Sequence, residues 1–500
     1  GIYNEEKTWT CKFNNKFQEL TGKDPCLYYP ALWYNIGPET EAARVAFFNT
    51  RAELLADGFP KVLTDWGVEH NLQISGHAPG NYEIQPVDMC GDPFKFDRAQ
   101  PIPMVDVIFN YPFGRDGFKL ASDGGDLYDK PIVSAETFSS FLPVGTMMGY
   151  RRAMELYIRG INRFTGCGFA GSNNHYGNRN STYEIIGDSS LFAEWAGRLS
   201  FLLQGGRRVS EIAVFYPIAA LQAHYYFDAP ENTLEMRWGT FVPHESDYLA
   251  IGEMLLNQVH RDFTFVHPDI FLSDRIRVNG NSLDLINKVN HQSYKLLILP
   301  GQRVISLKAL EKIKEYFKAG GSVIATSLLP SKAAELPGNA EEAAANDIRI
   351  QSIIEEIFGI DPCKPMPEGV TEIITNINNG KAVFISKPDP VVLAGMMGEL
   401  GIATDVAFSD NPVPSSGGGA FSYVHKVKND LNIYLFANST DEAINTYAEV
   451  RGKIRPEKWD PYNGETAEIN NVDYIRKHGQ TYTRFPLKLE SVSSVVVTGK

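Results

Sequence analysis

Residues 131–141 read PIVSAETFSSF, and the fold is decided by how this stretch is read. Its first half is a short, mostly apolar run of strand length that ends on one carboxylate, Glu136, between Ala135 and Thr137. An acid at the end of a buried strand is costly unless it is paired or used. Three runs of the same kind surround it, at 71–76 (NLQISG), 102–109 (IPMVDVIF) and 162–169 (NRFTGCGF), with a helix expected near 145–160. Short apolar strands separated by helical stretches predict parallel β/α units. Upstream, Val45, Phe48, Ala52, Leu55, Phe59 and Val62 are spaced 3,4,3,4,3, which draws one stripe along a single helix that needs a sheet to cover.

Polar residues gather where each strand should end: Gly76-His77, Asn110-Tyr111, Glu136, and the run 171–175 that holds Asn174 and His175. In a parallel (β/α) barrel of the TIM type these ends form the active-site face, so the clustering marks an enzyme. Four strands are clear, five with CLYYP at 26–30, where a full barrel has eight; the first half of a barrel is therefore either absent, leaving its C-terminal half, or hidden in strands without a clear pattern. Open sheet edges need cover, either from segments such as 11–34 and 81–100 or from a second copy in a homo-oligomer; the second copy is narrowly favoured.

Residues 1–208 form the barrel unit in this reading, 209–405 a second α/β unit and 406–500 a third. The second has strands at 211–216, 262–266, 295–299 and 322–327 and helices near 245–258 and 307–319, the pattern of a Rossmann-like open sheet. It has no phosphate loop and no G-x-G-x-x-G, so nucleotide binding is not expected, and it is read as scaffold without a site of its own. The stretch NPVPSSGGG at 411–419 breaks the chain, and the alternating runs beyond it predict an antiparallel β-sandwich.

Composition narrows the partners. With 47 Lys and Arg against 60 Asp and Glu, the formal charge is −13 and no long basic run occurs, which disfavours nucleic acid and anionic lipid. No apolar run approaches the roughly 20 residues of a spanning helix, so no membrane span is expected. Five scattered cysteines without a C-x-x-C pair speak against a disulfide framework or zinc site. Flavin and haem are not expected either.

The run from ALWYNIGPETEAARVAFFNT through VLTDWGVEHNLQISGHAP, with PIVSAETFSSF and GINRFTGCGF, resembles the catalytic barrel of glycoside hydrolase family 106, the α-L-rhamnosidases. Later segments are similar too: YKLLILPGQRV with LKALEKIKEYFKAGGSVIATS looks like the amidotransferase-like domain that follows such barrels, and EVRGKIRPEKWDPYNGETAEI like their C-terminal β domain. The resemblance implies a carbohydrate substrate, an inverting hydrolysis by two carboxylic acids, a calcium ion near the sugar and a periplasmic or secreted setting. Glu136 then matches the general base, and Glu5 or Glu6, before the Trp9-Thr10 segment, stands near the position of the acid. Glycosidic cleavage needs such a pair, one carboxyl to protonate the leaving oxygen and one to activate water or attack the sugar.

The remaining residues keep two readings each. His77 is a sugar-hydroxyl donor or a loop histidine bonded to backbone. Asp106 orients another site residue or makes a structural hydrogen bond, and Asn174 and His175 are substrate contacts or loop residues. SDGGDLYD offers Asp123, Asp126 and Asp129 to calcium but lacks the glutamate-terminated loop pattern, so a solvated turn is the other reading. Arg163 is expected in a structural ion pair. A β-galactosidase-like retaining glycosidase and a degenerate carbohydrate-binding protein are the competing functions.

Overall fold

The computed structural model describes residues 10–78, 87, 90–107, 118–138, 147–166, 187–227, 243–477 and 479–500. Helices α1 (Phe13–Thr21), α2 (Thr40–Gly58) and α3 (Pro60–Glu69) come first, and α4 (Pro93–Arg98), α5 (Lys119–Leu127), α6 (Met147–Ile158) and α7 (Ser189–Leu203) follow among the strands. The stripe through 45–62 is not one helix. Pro60 starts a new helix at its first turn, where its missing N–H costs nothing, and the stripe breaks there. Phe48 and Ala52 are buried as expected, whereas Phe59 and Val62 are exposed. CLYYP is not a strand either: Pro25–Leu27 and Tyr29–Leu32 are 3₁₀ turns, each with proline in its first turn.

Strands β1 (Ser75–His77), β2 (Ile102–Asp106), β3 (Ser134–Thr137) and β4 (Arg163–Gly166) pair in that order, all parallel. Side chains alternate between two faces. Val105, Val107, Val133 and Ala135 are buried with Phe118, Ala121, Leu156 and Ile161 against the helices. The opposite face takes His77, Met104, Asp106, Ser134, Glu136 and Thr165, because residues in register across parallel strands point the same way. Neither β1 nor β4 has a further strand beside it among the described residues.

A six-stranded sheet follows, with strand order 374–375, 381–385, 322–326, 296–299, 212–215, 264–266; all neighbours are parallel except the first pair. Two antiparallel sheets then stack around Phe421, Tyr434, Phe436, Phe485 and Val497 as a sandwich. One of them takes Arg207–Arg208 as its edge strand, so a segment placed in the barrel unit by sequence pairs instead with the C-terminal sheet. Apolar contacts bind the layers together. Phe47 and Phe48 of α2 share a core with Leu221 and Tyr225, and α6 and α7 pack through Tyr157, Trp195 and Leu199 onto Val424, Leu435 and Val496 of the sandwich.

Where these layers meet lies a buried charge cluster. Lys119 Nζ is 2.6 Å from Asp123 and 3.5 Å from Asp262; Arg208 is 2.5 Å from Asp123 and 3.3 Å from Asp262, and all four side chains are at most 2 % exposed. Asp123 also accepts the Phe265 N–H at 2.7 Å, and Lys119 and Arg208 both donate to the Phe263 carbonyl. Burial would lower the pKa of Arg208, but Asp262 and Asp123 hold it well above the ordinary value. SDGGDLYD is therefore neither calcium loop nor solvated turn. It lies largely in α5, with Asp123 spent on the cluster, Asp126 3.4 Å from Arg208, and Asp129 accepting the N–H groups of Lys288, Val289 and Asn290. Replacing Arg208 by Met should leave two carboxylates buried beside one lysine; breaking a buried pair in this way costs about 3–5 kcal/mol. Urea unfolding followed by circular dichroism would read that loss, and an unchanged midpoint would show that the cluster is dispensable.

Candidate active site

The polar face of β1–β3 brings together three of the residues singled out in the sequence. His77 Nε2 lies 3.0 Å from Glu136 Oε2 and 3.8 Å from Asp106 Oδ2. Asp106 and Glu136 are direct partners in the ladder, while His77 sits opposite Met104, two residues short of Asp106. The imidazole thus reaches forward and across β2 to Glu136. Its other nitrogen, Nδ1, is 3.0 Å from the Ala78 carbonyl oxygen. Both ring nitrogens face acceptors, which favours the doubly protonated ring. Burial alone would lower the His77 pKa, but the hydrogen bonds to Glu136 and Ala78 and the charges of Asp106 and Glu136 outweigh it, and the net shift is upward. The three differ in exposure: the Asp106 side chain is 6 % exposed, His77 30 % and Glu136 29 %, so Glu136 and His77 present themselves to solvent while Asp106 stands behind them.

The backbone after Glu136 is strained. Phe138 has φ 62°, a left-handed conformation that bulky L-residues avoid, and its ring is held between Phe164 and Phe192 at 5.3 and 5.2 Å. Strain of this kind persists only where packing enforces it, and it gathers at functional sites. Sequence reading passed over Thr165, which is in register with Glu136 on the same face and lies 3.3 Å, hydroxyl to hydroxyl, from Ser134. Its signal was the alternation of strand 162–169 alone. Arg163 is exposed and makes no ion pair with any described residue, against the expectation. Glu5, Glu6, Asn174 and His175 lie outside the described residues, as do Asn110 and Tyr111.

A metal could meet His77, Asp106 and Glu136 together, since one ligand atom from each lies within 4.8 Å of the others. Calcium fits this set poorly. It takes six to eight oxygens, whereas here one of three donors is an imidazole nitrogen that faces both carboxylates. Among the described residues, no other group of three acidic, histidine or cysteine ligands gathers.

Residues 252–474 match the model of the glycoside hydrolase 106 family, alpha-L-rhamnosidase; the span covers much of the six-stranded sheet and most of the sandwich, and it excludes His77, Asp106 and Glu136. The resemblance read from the sequence is thus borne out over that span. Proteins of curated function give no match. Among solved structures, a rhamnosidase from Novosphingobium sp. PP1Y is similar over 98 % of this chain and 43 % of its own, at 20 % identity and TM-score 0.68. The chain therefore spans less than half the length of that rhamnosidase. A GH42 beta-galactosidase from G. stearothermophilus is similar over 98 % of this chain and 75 % of its own, at 12 % identity and TM-score 0.60. An alpha-L-fucosidase isoenzyme from Paenibacillus thiaminolyticus gives 99 % and 76 %, 13 % identity and TM-score 0.53. At these identities the likeness is one of mixed α/β fold.

The raised His77 pKa has a thermodynamic sign. Its stabilisation is fully present below the ordinary histidine value and is lost as pH rises through the raised folded value. In imidazole NMR titrations, His77 should titrate above the roughly 6.5 of free histidine and fall back towards it in Glu136→Gln. A His77 that titrates below free histidine would contradict the paired geometry.

Proposed function

We propose that this chain, matched to the α-L-rhamnosidase family over residues 252–474, belongs to a glycoside hydrolase that removes terminal sugars, α-L-rhamnose foremost, from glycosides or polysaccharides. The observation that carries the proposal is Glu136: a half-exposed carboxylate at the C-terminal end of β3, hydrogen-bonded to His77 and followed by a strained turn. In this reading β1–β4 are strands of a (β/α) barrel, residues 209–405 an amidotransferase-like support and 406–500 the sandwich. A periplasmic or secreted setting and self-association across the edges of β1 and β4 belong to the proposal as well.

Glu136 acts as general base. It takes a proton from water as the water oxygen bonds to the anomeric carbon, and the bond to the leaving oxygen breaks as a second carboxylic acid protonates it. His77 donates to Glu136, which favours the ionised form a base requires, and its exposed edge is placed to donate to a sugar hydroxyl. Asp106, buried behind them, supplies the second negative charge that keeps His77 protonated. Oxygens of Asp106 and Glu136 lie within 4.8 Å, inside the roughly 6.5–9.5 Å that an inverting pair keeps for water, so Asp106 is not the acid. Glu5 or Glu6 is assigned that role, and Asn174 and His175 are assigned to the substrate. Calcium, implied by the resemblance, finds no oxygen-rich set among the described residues, and no step runs through it.

A second reading draws on the same short separation. Carboxylates about 5–5.5 Å apart serve retaining enzymes, which would make Glu136 a nucleophile of the β-galactosidase type. Burst kinetics with an activated fluoride sugar separates the two, since only a retaining enzyme accumulates the covalent intermediate.

Glu136→Gln should lower hydrolysis of an aryl α-L-rhamnoside on the order of 10²–10⁴-fold, the usual worth of a general base, while the protein still unfolds in one cooperative step. A variant that retains more than half the activity would remove Glu136 from the mechanism.

A further inference from the structure

The six-stranded sheet has a switch in its strand order. From 212–215 the chain crosses to 264–266 on one side and then returns to 296–299 on the other. In open α/β sheets the crevice at the carboxyl ends of two such strands is where ligands bind, because the loops that follow them diverge and leave a gap. A cavity of about 260 Å³ lies there, between the first turns of α2, helix Ile218–His224, and the loops at 243–246 and 301–304. Helix Ile218–His224 turns Ala220 and Ala223 towards it, and these small side chains leave the space open.

The lining chemistry points to an occupant. Gln302 is 1 % exposed; its amide nitrogen donates to the Pro300 carbonyl at 3.1 Å, but its Oε1 has no partner. Ser246, 7 % exposed, likewise has a hydroxyl without a partner. Buried polar atoms left unsatisfied cost free energy, and both of these belong to residues that line the one cavity, which marks its wall as polar. Around them stand Arg44 and Arg303, Glu41 and Glu245, two cations against two anions. That balance does not suit an anion. It suits a neutral molecule whose groups both donate and accept, which is the property of a sugar hydroxyl. The volume, below the roughly 300–1,000 Å³ of drug-sized sites, suits one ring. Tyr226 supplies an aromatic wall, braced by the Arg44 guanidinium 4.8 Å from its ring centre.

We infer that this crevice is a second carbohydrate site, a monosaccharide-sized pocket separate from the face that carries Glu136. The sequence reading left this unit as scaffold because it lacks a phosphate loop and a nucleophile; a neutral sugar needs neither. The inference does not rest on the hydrolytic role of Glu136.

The test is calorimetry and saturation-transfer NMR on the whole chain with L-rhamnose and D-galactose, with L-glutamine and inorganic phosphate as contrasts. The variants are Gln302→Leu, Ala220→Met and Glu136→Gln. Gln302→Leu removes the unpartnered acceptor, so it should fold; Ala220→Met fills the cavity from the opposite wall. The expected result is two sugar-binding events, one of which weakens at least tenfold in Gln302→Leu and in Ala220→Met but survives unchanged in Glu136→Gln. Three outcomes overturn the inference: sugar binding unaltered in both crevice variants, sugar binding abolished by Glu136→Gln alone, or saturation by glutamine or phosphate in preference to either sugar.

Discussion

The arrangement of this chain depends on one buried cluster, in which Lys119 and Arg208 meet Asp123 and Asp262. Its members come from three stretches: two from α5, one from the segment after α7 and one from just before strand 264–266. Desolvating four charges is expensive, and their attraction offsets that only when all four are in place. The cluster therefore acts as a registration device, since α5 cannot slide against the six-stranded sheet without leaving a charge alone. Because Arg208 is also part of a sandwich strand, the same contact fixes the third layer. Nearby, Lys426 is almost fully buried and burial pushes it down to about 8, so the junction also carries a group that changes charge in mildly alkaline solution.

This junction sits beneath the face that holds His77, Asp106 and Glu136. Helix α5 covers the apolar side of β2 and β3, so what positions α5 positions the strands and hence their ends. Gly125 shows how tight that packing is: a Cβ there would come within 2.4 Å of Val133. On the opposite side of the sheet the pleat then gives polar residues no choice of direction. The strained Phe138 fixes where the chain departs, and the rings of Phe164 and Phe192 hold it there.

The strands were legible because each is an apolar run closed by polar residues; the rule that sites gather at strand ends picks out His77 and Glu136, whereas Asp106 stands out as a carboxylate inside the apolar run 102–109. Their mutual geometry was not legible. His77 and Glu136 are on strands that do not touch, and only the register of β1 against β2 shows that the ring can span the gap. Asp123 was misread because Gly124-Gly125 looks like a turn, whereas those glycines serve a helix pressed against Phe94 and Val133. Its cation, Arg208, is remote in sequence and left no local signal. Phe59 and Val62 fit a helical period that Pro60 interrupts, a case where one breaker outweighs a long apolar pattern. The six-stranded sheet was read well at the level of its strands because parallel strands buried on both faces are nearly all apolar. The crevice at its switch point depends on strand order, which no local pattern carries.

The central claim is that the strand ends of β1–β3 are where the sugar is held for cleavage. A crystal structure of the Glu136→Gln protein with an α-L-rhamnoside bound tests it most directly. The account predicts the anomeric carbon facing residue 136 across one water, with a ring hydroxyl hydrogen-bonded to His77. A rhamnoside bound with no contact to residues 77, 106 or 136 would contradict it.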